Sequence, residues 1–251
     1  MTNIRVLLAG ESWVSNSTHY KGWDFFSSTV YETGINYLQK ALTSAGIEFT
    51  HLASHEAAEN FPLSVESMRE FDVIILSDIG ANTLLLHPET WLRGKPMPNR
   101  LALLKEYVET GGGLAMCGGY LSFSGIYASA KFFRTKVEEI LPVNMYPFDD
   151  RIETPEGTSI EVIEPSHPIL ENIPAVWPDL LGFNELTLKR DARLLVKAGD
   201  FPLLAVREFG SGRTLAWASD IGPHWCPETF ATWDGYKTLM VQMVEWLAKV
   251  R

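Results

Sequence analysis

The sequence predicts an α/β fold: a doubly wound, mostly parallel sheet with helices on both faces, plus an antiparallel extension in the C-terminal half. Three observations carry this. Short apolar runs of the kind needed by strands buried on both faces recur in the N-terminal half. Stretches with apolar residues at helical spacing alternate with them. Beyond residue 185, closely spaced strand-like runs are joined by a glycine-rich turn.

The elements follow in order. Ile4 to Ala9 is apolar and ends at Gly10-Glu11-Ser12, which predicts a central strand. Residues 13 to 30 are polar and aromatic without a clear period, and read as a long loop. From Glu32 to Ala45, Ile35, Leu38, Ala41, Leu42 and Ala45 fall on one helical face, and Gly46 is the stop. Ile47 to Leu52 alternates apolar and polar, and Phe71 to Asp78 is another buried-strand run. Asn99 caps a helix from Leu101 to Thr110, which Gly111-Gly112-Gly113 ends before a short strand from Leu114 to Cys117.

The second half reads differently. Seven prolines between 142 and 178 punctuate an excursion with a short strand at Ser159 to Ile163. Leu186 to Lys189, Leu194 to Lys197, Leu203 to Phe209 and Thr214 to Ala218 read as strands, the last two joined through Gly210-Ser211-Gly212. A closing helix from Gly235 to Lys249 buries Tyr236, Leu239, Met240, Met243, Val244 and Leu247. No repeat, linker or low-complexity tract interrupts residues 1–251, which predicts a single domain.

Composition narrows the setting. A chain of 251 residues can bury a full core without staples. Two cysteines, Cys117 and Cys226, fit free thiols in a reducing, cytoplasmic compartment. Glu11 breaks the N-terminal apolar run too early for a signal peptide or a membrane span. A net charge of −10 without clustered Lys and Arg argues against a nucleic-acid surface. Neither a Gly-x-Gly-x-x-Gly opening a helix nor a Gly-Lys-Ser/Thr loop is present, so no nucleotide and no cofactor is expected.

In doubly wound folds the ligand crevice lies beyond the carboxyl ends of the strands. Four segments fall there: Glu11-Ser12-Trp13, Asp78 to Thr83 with Asn82, Cys117-Gly118-Gly119-Tyr120, and Asp220 to Cys226 with His224 and Trp225. A strand end leaving the core turns polar in any case, but four such sets meeting at one sheet end point to a site for a small-molecule substrate or ligand.

Cys117 has two readings. As a nucleophile on a tight glycine turn, like the elbow of α/β hydrolases, it needs a lowered thiol pKa, from a helix beginning after Gly118-Gly119 or from His224. As a small hydrophobe it simply closes a buried strand. Asp220 either orients His224 or caps the next turn. His224, Cys226 and Glu228 lack the spacing of a metal site, and no metal is expected.

Leu7 to Trp13, Ser77 to Thr83, Gly111 to Phe123 and Ser219 to Trp225 together resemble the putative glutamine amidotransferase family, within the class I glutamine amidotransferase-like superfamily. The resemblance covers nearly the whole chain. It implies a flavodoxin-like sandwich and, in true amidotransferases, a Cys-His-Glu triad that releases ammonia from glutamine. Cys117 matches the nucleophile approximately and Gly119 the second glycine of Gly-x-Cys-x-Gly, while Ala115 replaces the first. The His-x-Glu pair has no counterpart, since His224 lies four residues beyond Asp220.

Two functions follow. One is cysteine-dependent amide hydrolysis, with Cys117 as nucleophile, His224 as base, Asp220 as orienter and the Gly118 and Gly119 amides as oxyanion donors. The other is a catalytically silent binding or assembly protein that uses Trp13, Tyr120 and Trp225 to hold a small molecule such as a sugar or an amino acid. Association into a homo-oligomer is open to either.

Overall fold

The computed structural model describes residues 3–251. Its strands begin with β1 (Arg5–Gly10), β2 (Ser12–Lys21), β3 (Asp24–Thr33), β4 (Glu48–Leu52), β5 (Val73–Ser77), β6 (Gly113–Cys117) and β7 (Val143–Asn144). They continue with β8 (Arg151–Thr158), β9 (Ile160–Val162), β10 (Leu180–Asn184), β11 (Thr187–Leu188), β12 (Arg193–Ala198), β13 (Phe201–Phe209) and β14 (Gly212–Trp217). The helices are α1 (Asn36–Thr43), α2 (Ser54–Asn60), α3 (Val65–Met68), α4 (Ala81–Leu85) and α5 (Pro88–Arg93). After them come α6 (Arg100–Glu109), α7 (Lys136–Ile140), α8 (Glu228–Ala231) and α9 (Asp234–Leu247).

Eight strands form the central sheet, in the order β4-β1-β5-β6-β14-β13-β12-β9. The first five run parallel and the last three antiparallel. This is the mixed α/β architecture that the alternating pattern implies, with the antiparallel part in the C-terminal half. Every residue of β5 and β6 is buried, so both sheet faces are covered. One cover is α1 with α9, which lies on β6 and β14; α6, with α3, α4 and α7 around it, forms another group against β14. Apolar side chains from all of these join one contiguous core cluster.

Two expectations are corrected. Residues 13–30 are not a loop: β2 and β3 pair antiparallel from Ser12↔Thr33 to Lys21↔Asp24, making a long ribbon. Both of its faces are largely exposed, so its residues alternate about no core and leave no one-sided apolar signal. The ribbon also takes Glu32 and Thr33 from the expected first helix, which starts at Asn36.

The second correction concerns the segment after Gly119, where no helix begins. The carboxylate of Asp150 accepts from Ser124 N and Gly125 N at 2.9 and 2.8 Å. Asn184 Oδ1 takes Gly119 N at 3.1 Å. Side chains from the proline-rich excursion thus bind the amides and hold the segment as a string of turns, with only a short 3-10 turn at Ile126–Ala128.

Candidate functional site

At the carboxyl ends of β1, β5, β6 and β14 a cleft of about 330 Å³ opens. Its wall includes Glu11, Trp13, Asp78, Tyr120, Asp220 and His224, one or more from each of the four segments. Gly34, Gly222 and Pro223 complete it.

Backbone geometry aims the carboxylates. Glu11 and Asp78 directly follow parallel strands and take φ of 49° and 45°, the left-handed region where residues other than glycine are uncommon. Glu11 N donates to Ser77 O at 2.9 Å, and Asp78 N donates to Ser122 Oγ at 3.0 Å. These bonds hold the two strained residues in place. Gly10 is required beside them, because a Cβ there would lie 1.8 Å from Ser77 O.

Glu11 lies against Gly34, while Asp78 and Asp220 converge on Gly119, whose φ is +132°. A Cβ on that residue would lie 3.0 Å from Asp220 Oδ1 and 3.1 Å from Asp78 Oδ1. Burial and this crowding of like charges raise the Glu11 carboxyl to about 8, so it holds its proton near neutrality. Its Oε1 accepts from Ser77 Oγ at 2.5 Å, which opposes the rise. Asp78 is also raised, chiefly by burial and further by Asp220, although the Leu121 amide at 2.7 Å counteracts this.

His224 is joined to this acidic group through Asp220. Its Nδ1 shares a proton with Asp220 Oδ2 at 2.8 Å, and the same oxygen accepts from Trp225 N at 2.8 Å. The Asp220 bond raises the imidazole pKa, favouring the cation. Tyr120 meets the His224 ring edge-on at 4.7 Å and Trp225 at 5.5 Å. Glu153 ties the two rings together, taking Tyr120 OH at 3.1 Å and Trp225 Nε1 at 2.9 Å.

Several expected site residues lie off the cleft wall. Cys117 is 2 % exposed and closes a buried strand, among Leu38, Ile75, Ala115, Ile221 and Met240. Burial pushes its thiol up, and the charges of Glu11 and Asp220 push it further; no cation brings it down. Gly118 N is spent on Trp217 O and Ser219 O at 2.7 and 2.9 Å, and Gly119 N on Asn184, so neither amide is free for an oxyanion. Ser12 Oγ accepts from Ser54 N at 2.7 Å, outside the cleft wall. Asn82 is exposed on α4, and Trp225 is buried behind Tyr120. Cys226 is buried, with its thiol also pushed up. Among the described residues no three His, Cys, Asp or Glu side chains are grouped to hold a metal.

Sequence reasoning missed Glu153, Asp150 and Asn184. All three lie in the proline-rich excursion, where no strand-end pattern marks them. They support the cleft only because β8 and β10 pair and fold back over the end of β6.

Comparisons with known proteins agree with this architecture. The chain is 40% identical to Cytoplasmic Protein STM3548 from Salmonella typhimurium, covering 96% of this chain and 98% of that one, with a TM-score of 0.93. It is 37% identical to Cytoplasmic Protein STM1381 from Salmonella typhimurium LT2, covering 97% and 99%, also with a TM-score of 0.93. A ThuA-like protein from Parabacteroides merdae ATCC 43184 shares the fold at 13% identity and a TM-score of 0.58, over 100% and 91% of the two chains. The comparison with curated proteins found no match. The family model described as "Putative glutamine amidotransferase" matches residues 5–249, and the chain belongs to that family.

Proposed function

We propose that this family member is a small-molecule binding protein whose cleft takes a ligand rich in hydroxyl or amino groups, a sugar or a small amine, without using Cys117 as a nucleophile. The observation that carries this is the convergence of the Asp78 and Asp220 carboxylates on Gly119, in a cleft whose wall also includes Glu11, Trp13 and Tyr120. Carboxylates accept from hydroxyl and ammonium donors, and aromatic faces cover the apolar side of a small ring. Phosphate or carboxylate groups would meet like charge there. The site stands in the cytoplasm on this reading, in keeping with the names of the two Salmonella cytoplasmic proteins it resembles.

Amide hydrolysis is the second reading, and one observation favours it. The Asp220–His224 pair is built like the acid and base of a triad, with Nδ1 held by the carboxylate. What speaks against it is the burial and raised pKa of Cys117, since the thiolate is the reactive form.

One experiment separates them. Calorimetric titration with sugars, amines and amino acids is run on the native protein, Cys117→Ala and Asp78→Asn, beside an assay for ammonia release from glutamine and related amides. The expected result is a ligand bound equally by native protein and Cys117→Ala, and at least about tenfold more weakly by Asp78→Asn, which loses one charge-assisted bond. Ammonia release by the native protein that Cys117→Ala abolishes would overturn the proposal in favour of hydrolysis.

A further inference from the structure

The β2–β3 ribbon leaves the body of the protein beside α2, which it touches at its root, where the Tyr31 and His55 rings meet edge-on at 5.3 Å. Each strand is ten residues, so at about 3.4 Å per residue it projects roughly 30 Å. A two-stranded ribbon with no third strand and no core is marginal in water, and its open edges invite another chain. Gly22, at a φ of 71°, makes the two-residue turn, and the adjacent Trp23 is fully exposed.

The register separates two faces of different character. Lys21, Asp24 and Glu32 share one face with His19. The opposite face carries no charge at all. At its root Val14 pairs with Tyr31, at its tip Tyr20 pairs with Phe25, and all four are at least half exposed. Between root and tip lie the Asn16–Thr29 and Thr18–Ser27 pairs, each hydrogen-bonded across the strands.

We infer that this uncharged face is a homodimer contact, docking on the same face of a second copy across a two-fold axis. The pattern is self-complementary. When two ribbons lie antiparallel, the Tyr20–Phe25 tip of each meets the Val14–Tyr31 root of the other, and the Ser, Thr and Asn pairs meet at the axis. That is the isologous contact a two-fold dimer needs.

Two quantities favour a second copy as the occupant. The chain carries a net charge of −10, so copies repel through most of their surface, and an uncharged face is where they can meet without that cost. On the uncharged face Tyr20, Phe25 and Tyr31 expose on the order of 300–500 Å² of ring surface, at roughly 150–250 Å² per ring scaled by exposure, and Val14 with the four polar residues between them adds to it. A standard interface needs about 800 Å² from each partner.

Sedimentation velocity of the full chain, with cysteine cross-linking, tests this. The native protein is expected to sediment as a dimer at tens of micromolar. The Tyr20→Ser/Phe25→Ser double variant should be monomeric there, its dissociation constant raised at least about 100-fold, with an unchanged circular dichroism spectrum. Under oxidation Ser27→Cys, on the uncharged face near the axis, should form a disulfide-linked dimer, while Ser28→Cys on the charged face should not. Cys117 and Cys226 are buried and do not compete. A native monomer, an assembly of another order, a dimer that survives the double variant, or cross-linking through Ser28→Cys instead would each overturn the proposal.

Discussion

At the scale of single residues, side chains at this sheet end are governed more by burial than by their reactive chemistry. Cys117 sits one residue before a glycine turn, yet its thiol faces apolar groups and two carboxylates. Labelling with iodoacetamide at neutral pH, followed by mass spectrometry, should modify Cys117 more slowly than a model thiol and at an ordinary rate once the chain is unfolded; fast labelling of the folded protein would contradict this account. Arg100 shows how burial is satisfied without an opposite charge. Its fully buried guanidinium donates to the carbonyls of Leu84, Ala57, Ala58, Phe61 and Thr83, which gather the ends of α2 and α4. Desolvation lowers its pKa to about 10, still charged at neutrality. Arg100→Met strands those carbonyls and should cost roughly 2–4 kcal/mol in a denaturant titration, whereas loss of a surface cation would cost under about 1.

At the scale of elements, the parallel strands and their helices were legible because each buries apolar groups at a period the chain displays. Ile4 to Ala9 and Phe71 to Asp78 became β1 and β5 nearly as read, and α9 keeps the expected apolar stripe. The β2–β3 ribbon was not legible, because a strand with water on both sides has no face for the sequence to mark. The turn after β6 failed differently. Gly118 and Gly119 allowed a helix to begin after them, but Asp150 and Asn184, far along the chain, take the amides. Glycine is needed at 119 for φ and for the space between two carboxylates. Gly119→Ala should therefore weaken ligand binding by at least about tenfold while costing about 1–2 kcal/mol of stability; calorimetry and thermal melts of the one variant separate these effects.

At the scale of the whole molecule, the cleft makes stability depend on pH. Folding raises the Glu11 carboxyl from its ordinary value near 4.5 to about 8, so between those values the native state holds a proton that the unfolded chain has lost. Stability must fall as pH rises through that window. His224 acts in the same direction: its pKa is raised by Asp220, so the pair stabilises the fold at low pH and fades as pH rises through the folded value. Glu11→Gln keeps the acceptor for Ser77 and removes the titration. In denaturant titrations its unfolding free energy should exceed that of the native protein at pH about 8 by on the order of 4 kcal/mol, and the gap should close toward pH about 4.5; a gap independent of pH would show that Glu11 ionises normally. The sequence by itself determined the family, the doubly wound sheet and the strand ends where Glu11, Asp78, Cys117 and Asp220 gather, because strand burial and strand ends are local patterns. Only the tertiary structure decided which of these side chains face the cleft and which face the core. That depends on the register of neighbouring strands and on partners such as Asn184 and Asp150, 65 and 25 residues away from the backbone groups they bind, which no local pattern records.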